Sequence, residues 1–107
     1  MAFDATVEID KNVAKITLTG DLDASSAGIF KDTIEQASLS NPSRLVLFME
    51  NLDFMASAGL RVLVFAKQKM GAGVYIYLIA PQAPVLSSLE MSGFHHSVYI
   101  QDTYIDE

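Results

Sequence analysis

This 107-residue sequence predicts an α/β fold built on a mixed, mostly parallel sheet. The spacing of apolar residues switches along the chain between the period of two of a half-buried strand and the helical period near 3.6. Fully apolar runs of strand length also alternate with helical stripes, an order that calls for crossover connections between parallel strands. One domain covering 1–107 suits the length, and a hydrophobic half of the residues supplies its core.

Phe3, Ala5, Val7 and Ile9 alternate with polar residues, and Ala14, Ile16 and Leu18 resume the alternation after the turn-forming Asp10-Lys11-Asn12. This predicts an antiparallel hairpin ended by Gly20. Ala27, Phe30, Ile34 and Ala37 then form one helical stripe, with Asp23, Ser25 or Ser26 available to cap its start. Asn41-Pro42-Ser43 stops the helix, since proline disfavours helix in the residue before it. The run Leu45 to Met49 predicts a strand covered on both faces. A second helix is expected from Ser57 to Met70, broadly buried through Leu60, Val62, Leu63, Val64, Phe65 and Ala66 and closed by Gly71 and Gly73. Val74 to Ile79 predicts a further buried strand. A short third helix lies between the prolines 81 and 84 and Gly93, and a last strand at Val98 to Ile100. The expected order is β-β-α-β-α-β-α-β.

Charge narrows the classes of partner. Thirteen acidic residues against seven basic ones give a formal charge of −6, which opposes nucleic acid and anionic membrane surfaces alike. No cysteine is present, so disulfides and thiolate metal sites are excluded. No apolar run approaches the roughly 20 residues needed to span a bilayer, and the N-terminus lacks the pattern of a signal peptide. A soluble, acidic, cytoplasmic domain is expected. The adjacent His95 and His96 point apart on any regular element and form no metal chelate, and no cofactor-binding motif occurs.

The segment Asn51 to Arg61 is expected to join a buried strand to a helix, at the carboxyl edge of the sheet where α/β proteins gather functional loops. Small residues at 56–59 leave the Ser57 hydroxyl uncovered, and Met55 is expected in the same exposed loop. Taken alone, a serine at such a junction is most often a helix N-cap. Asp23 divides evenly between capping the first helix and contacting a partner. Asp21 and Arg61 read first as solvated charges. A serine-hydrolase reading fails locally, because Met55-Ala56-Ser57-Ala58-Gly59 lacks the glycine two residues before the serine.

Phe54-Met55-Ala56-Ser57-Ala58-Gly59-Leu60 resembles the signature of STAS domains, the fold of bacterial anti-sigma factor antagonists. Gly20-Asp21-Leu22-Asp23-Ala24 is similar to a second marker of that family, placed after the second strand. The resemblance implies no catalytic residue but a phosphorylation switch. Ser57 is the implied phosphoacceptor, and the unphosphorylated chain binds an anti-sigma factor that is itself a serine kinase. Phosphorylation releases that partner, and a metal-dependent serine phosphatase resets the switch. The implied recognition surface comprises Asp21, Asp23, Phe54, Met55, Ala58, Gly59, Leu60 and Arg61, with Asp53 near the same edge.

Two positions depart from the family pattern: Ala56 replaces a frequent aspartate and Ala58 a second hydroxyl residue. The family's final amphipathic helix is expected to be shortened or missing after Ile100, and a homodimer covering the surface so exposed is a further expectation. The alternative is a STAS domain without a phospho-switch, serving as a constitutive docking module or a sensor of a small ligand such as a nucleotide.

Overall fold

The computed structural model describes residues 2–105. Its elements follow the expected order: β1 (Asp4–Asp10), β2 (Val13–Leu22), α1 (Ala27–Ser38), β3 (Arg44–Met55), α2 (Ser57–Met70), β4 (Tyr75–Ile79), α3 (Ala83–Ser92), a 3-10 turn (Phe94–Ser97) and β5 (Tyr99–Gln101). The strands lie side by side in the order β1-β2-β3-β4-β5. Only β1 and β2 are antiparallel; the other pairs are parallel.

This order dictates where the helices sit. Each β-α-β crossover steps one strand in the same direction, and right-handed crossovers then place every helix on one face. Ala14, Ile16 and Leu18 of β2, Leu45, Leu47 and Met49 of β3, and Ile76 and Leu78 of β4 point to that face. There they pack with Phe30 and Ile34 of α1, Leu63 and Ala66 of α2, and Val85 and Leu89 of α3. Burying each of the larger of these side chains stabilises the fold by roughly 1.5–3 kcal/mol, and each alanine by less.

The opposite face carries no helix among the described residues. Residues 102–105 cross it instead, where the Arg44 guanidinium donates to the Tyr104 hydroxyl (3.2 Å) and the Tyr104 ring meets Tyr77 edge-on. The expectation that Leu45 to Met49 is covered on both faces holds, since Leu45, Val46, Leu47 and Met49 are all fully buried, although no helix among the described residues supplies the second cover. Val46 is fully buried, but its cover is the flanking side chains of Lys15 and Tyr77 and the crossing Tyr104. Residues 106 and 107, onto which the question of a final helix extends, lie outside the described range.

Two boundaries and one buried position also differ from expectation. Gly20 does not end β2, which runs on to Leu22. Its φ of +85° and a shift of register between Gly20 and Asp21 let the strand bend and continue beside β3. The strand at Leu45 to Met49 likewise extends to Met55, so the expected loop of residues 51–55 is paired strand. Val64, expected within the buried face of α2, is exposed, because the helix buries the narrower stripe of Gly59, Val62, Leu63 and Ala66.

Candidate functional site

Because β2 and β3 are extended together, their carboxyl ends finish side by side. Leu22 pairs with Met55 and Asp21 with Phe54. The Ala56 amide closes the end of the pair by donating to the Leu22 carbonyl at 2.8 Å. The segments Gly20–Ala24 and Phe54–Leu60, distant in sequence, thus form one surface.

The junction after β2 is internally bonded. One oxygen of Asp23 accepts from the Ser25 amide (3.0 Å) and hydroxyl (2.7 Å) and from the Ser26 amide (3.1 Å). The Ser25 hydroxyl and then that of Ser26 hold the Asp23 carboxyl below its ordinary value, by favouring the charged form. Ser26 is buried, with its hydroxyl accepting from the Asp23 amide at 2.9 Å. Asp23 therefore organises the turn into α1.

The junction after β3 lacks such bonding. Ala56 stands at the N-cap, with extended dihedrals (φ −81°, ψ 171°) and no side chain able to accept. Ser57 is the first residue inside α2 rather than its cap, is exposed, and its hydroxyl bonds to no described residue. Backbone bonding within the helix begins with the Gly59 and Leu60 amides, both donated to the Ala56 carbonyl. The amides of Ser57 and Ala58 are left facing outward, where helix geometry favours an anion.

Gly59 has a packing reason. A Cβ there would lie 2.7 Å from two Leu22 side-chain carbons and 3.0 Å from Met55 Cγ, so only glycine lets α2 press so closely on the strand ends. Met55 is only 5 % exposed, which corrects the expectation of an exposed loop methionine: as the last residue of β3 its side chain turns into the core. Phe54, one residue earlier, points the other way and is 48 % exposed. Leu60 is half-buried, Ala58 likewise, and Arg61 is exposed one helical turn beyond Ser57, on the same side of α2. Asp53 lies on the same edge, but its carboxylate accepts from the Gln82 side chain at the start of α3 (3.2 Å), away from Asp23.

A groove of about 320 Å³ opens beside Ser57, between α2 and α3, lined by Met55, Ala56, Leu60, Ser88, Met91 and Ser92. Met91 was not singled out from sequence, yet it is 86 % exposed on its rim. A methionine on the polar side of a short helix was the available signal. His95 and His96 lie apart from this groove's lining; their ring centroids are 3.9 Å apart on the 3-10 turn, which corrects the expectation that they point apart, and His95 Nδ1 lies 3.3 Å from the Leu89 carbonyl.

Comparison with known proteins places this architecture. The profile of the STAS domain matches residues 4–106, and the chain belongs to that family. The anti-sigma-F factor antagonist RsfB of Mycobacterium tuberculosis is 24 % identical over 101 residues, which cover 94 % of this chain and 83 % of the relative. An anti-sigma factor antagonist from Mycobacterium paratuberculosis superposes with a TM-score of 0.87 at 20 % identity, covering 95 % of this chain and 87 % of that one. SpoIIAA, an anti-sigma factor antagonist solved in its unphosphorylated form, superposes with a TM-score of 0.79 at 22 % identity, covering 95 % and 89 %. A phosphorylated form of Bacillus SpoIIAA superposes with a TM-score of 0.71. No helix among the described residues is long and apolar enough to cross a membrane.

Proposed function

We propose that this chain is a cytoplasmic anti-sigma factor antagonist working by partner switching. It is a regulatory binding module and not an enzyme. The unphosphorylated form docks on an anti-sigma factor serine kinase through the surface around Ser57. Phosphorylation of Ser57 releases it, and a metal-dependent serine phosphatase restores it. One observation carries the reading: the Ser57 hydroxyl is exposed and unbonded at the first position of α2. That a relative of the same fold exists in phosphorylated and unphosphorylated forms supports it.

In the transfer step Ser57 Oγ attacks the γ-phosphorus of the kinase's ATP. The new O–P bond replaces the bond to ADP, and the hydroxyl proton passes to a base on the kinase. The product adds about −1.5 to −2 charge. Its own chain tolerates that charge, with two outward amides and Arg61 one turn away. A partner that packs against Phe54, Leu60 and the groove lined by Met55 and Met91 does not. Burying an unpaired anion there costs several kcal/mol, enough to weaken binding roughly a hundredfold or more.

Intact-mass spectrometry of the protein from its own cells tests the reading. We expect one added phosphate that is absent from Ser57→Ala. With the purified kinase, Ser57→Ala is expected to bind as the unmodified chain does, and Ser57→Asp more weakly. Phosphate on neither form under any growth condition, with tight kinase binding retained, would favour the constitutive docking module, which Ala56 in place of the family's frequent aspartate makes the relevant second reading.

A further inference from the structure

We propose that a cavity on the helix-free face of the sheet, toward its carboxyl end, binds a small organic ammonium cation. Tyr104 closes that face over the row Lys15, Val46 and Tyr77. One row nearer the carboxyl ends, Thr17, Phe48 and Ile79 are paired in register and floor a cavity of about 340 Å³. That volume lies at the small end of the ~300–1,000 Å³ of ligand pockets. Asp102, the first residue beyond β5, forms one wall, so the segment that covers the neighbouring row also bounds this one.

A bulge in β3 supplies two of the polar groups. Thr17 pairs with Phe48 but Thr19 with Asn51, so β3 carries one residue more than β2 here. The extra residue breaks the alternation of the strand, and Glu50 and Asn51 are exposed in succession and both line the cavity. Another part of the rim is Ala80, which takes a left-handed φ of +55°. That conformation is uncommon and strained in a residue with a Cβ. The Ala80 amide donates to the Gln101 carbonyl at 2.8 Å, which fixes the chain just before Asp102.

The lining selects the charge of the occupant. Glu50 and Asp102 contribute carboxylates, and no basic residue is among the described residues that line the cavity. Neither carboxylate is engaged in an ion pair or hydrogen bond with a described residue. Carboxylates only accept hydrogen bonds, and an alkylammonium has N–H groups to donate. The half-buried Phe48 adds an aromatic ring, which attracts a cation seated over its face. The chain's formal charge of −6 favours cations further. A phosphate is repelled by the same carboxylates, so the cavity does not suit a nucleotide. Ser57 lies outside the lining, and the inference stands or falls separately from the phospho-switch.

Titration of the full chain with phenethylamine, a cation at neutral pH, followed by amide NMR, tests it. Saturable shifts around Thr17, Phe48, Glu50, Asn51, Ala80 and Asp102 are expected, with a Kd on the order of 1 mM. Phenylethyl alcohol, which has the same ring and chain but no charge, should bind at least ~fivefold more weakly. Glu50→Gln and Asp102→Asn, both at exposed positions, should each weaken phenethylamine binding at least ~threefold. Glu8→Gln removes the same charge from β1 and should leave it unchanged. Phe48→Leu keeps the floor apolar and should weaken it ~twofold or more. Shifts that do not saturate, or that spread over every carboxylate, would overturn the proposal. So would equal affinity for the alcohol, an affinity indifferent to Glu50→Gln and Asp102→Asn, or an equal loss from Glu8→Gln.

Discussion

Two strand-to-helix junctions lie side by side at the carboxyl edge of the sheet, and they are finished in opposite ways. After β2, Asp23, Ser25 and Ser26 consume one another's hydrogen-bonding capacity and lock the entry to α1. After β3, an alanine holds the cap position and the next residue's hydroxyl is left in solvent. The two are tied by the bond from the Ala56 amide to the Leu22 carbonyl. A rigid, satisfied junction therefore supports an unsatisfied one. A hydroxyl already engaged in a cap is a poor target for modification; one on a fixed backbone with no partner is a good one.

The glycines of the two helices sharpen that contrast most. Gly59→Ala gains helix propensity of up to about 1 kcal/mol. It also drives a Cβ into the buried Leu22 side chain, a clash of the kind that costs ~1–3 kcal/mol. Net destabilisation of up to about 2 kcal/mol in urea unfolding is expected, with the edge around Ser57 disturbed. Ala56→Ser supplies the missing cap and should stabilise the chain by ~1 kcal/mol in the same measurement. If stability stays unchanged, the junction after β3 is not limited by its cap. Gly28→Ala is the control, since nothing lies within 4 Å of the added carbon on α1. It should stabilise by about 0.5 kcal/mol.

The smallest effect concerns pH. The Asp23 carboxyl sits below its ordinary 3.8 in the fold. Its contribution is accordingly present above the unfolded value and lost as pH falls through the folded one. Asp23→Asn keeps an accepting oxygen but cannot titrate, so it should remove that share of the acid sensitivity. Stability of both forms from neutral pH to about pH 3 checks this, and an NMR titration of Asp23 gives the direction of its shift directly.

Most of the architecture was legible from local pattern. The alternation at Ala14–Leu18 and the stripe Ala27–Ala37 bury by period, and Phe3, Ala5 and Val7 are half-buried in step, although Ile9 at the end of β1 is exposed. The stop signals at Asn41-Pro42 and Gly93 act within a residue or two, so each element could be read from its own segment. Residues 51–55 resisted that reading. Asn51, Asp53 and the bend at Gly20 look like loop chemistry, yet β2 and β3 run on together because each supplies the other's backbone partners beyond the register shift. Met55 was misplaced for the same reason: whether it points out or in depends on a strand parity that exists only once the pairing does.

The kind of fold and the helix boundaries followed from periodicity and residue chemistry acting over a few neighbours, whereas local chemistry alone read Ser57 as a helix cap. Which residues meet did not follow. Asp21 beside Phe54, Leu22 against Gly59, Tyr104 against Tyr77 and Met91 at the rim of the Ser57 groove are contacts between segments that only the sheet order and the single-sided crossovers bring together. Short-range energetics selects the elements, while the long-range pairing of β2 with β3 decides their surfaces.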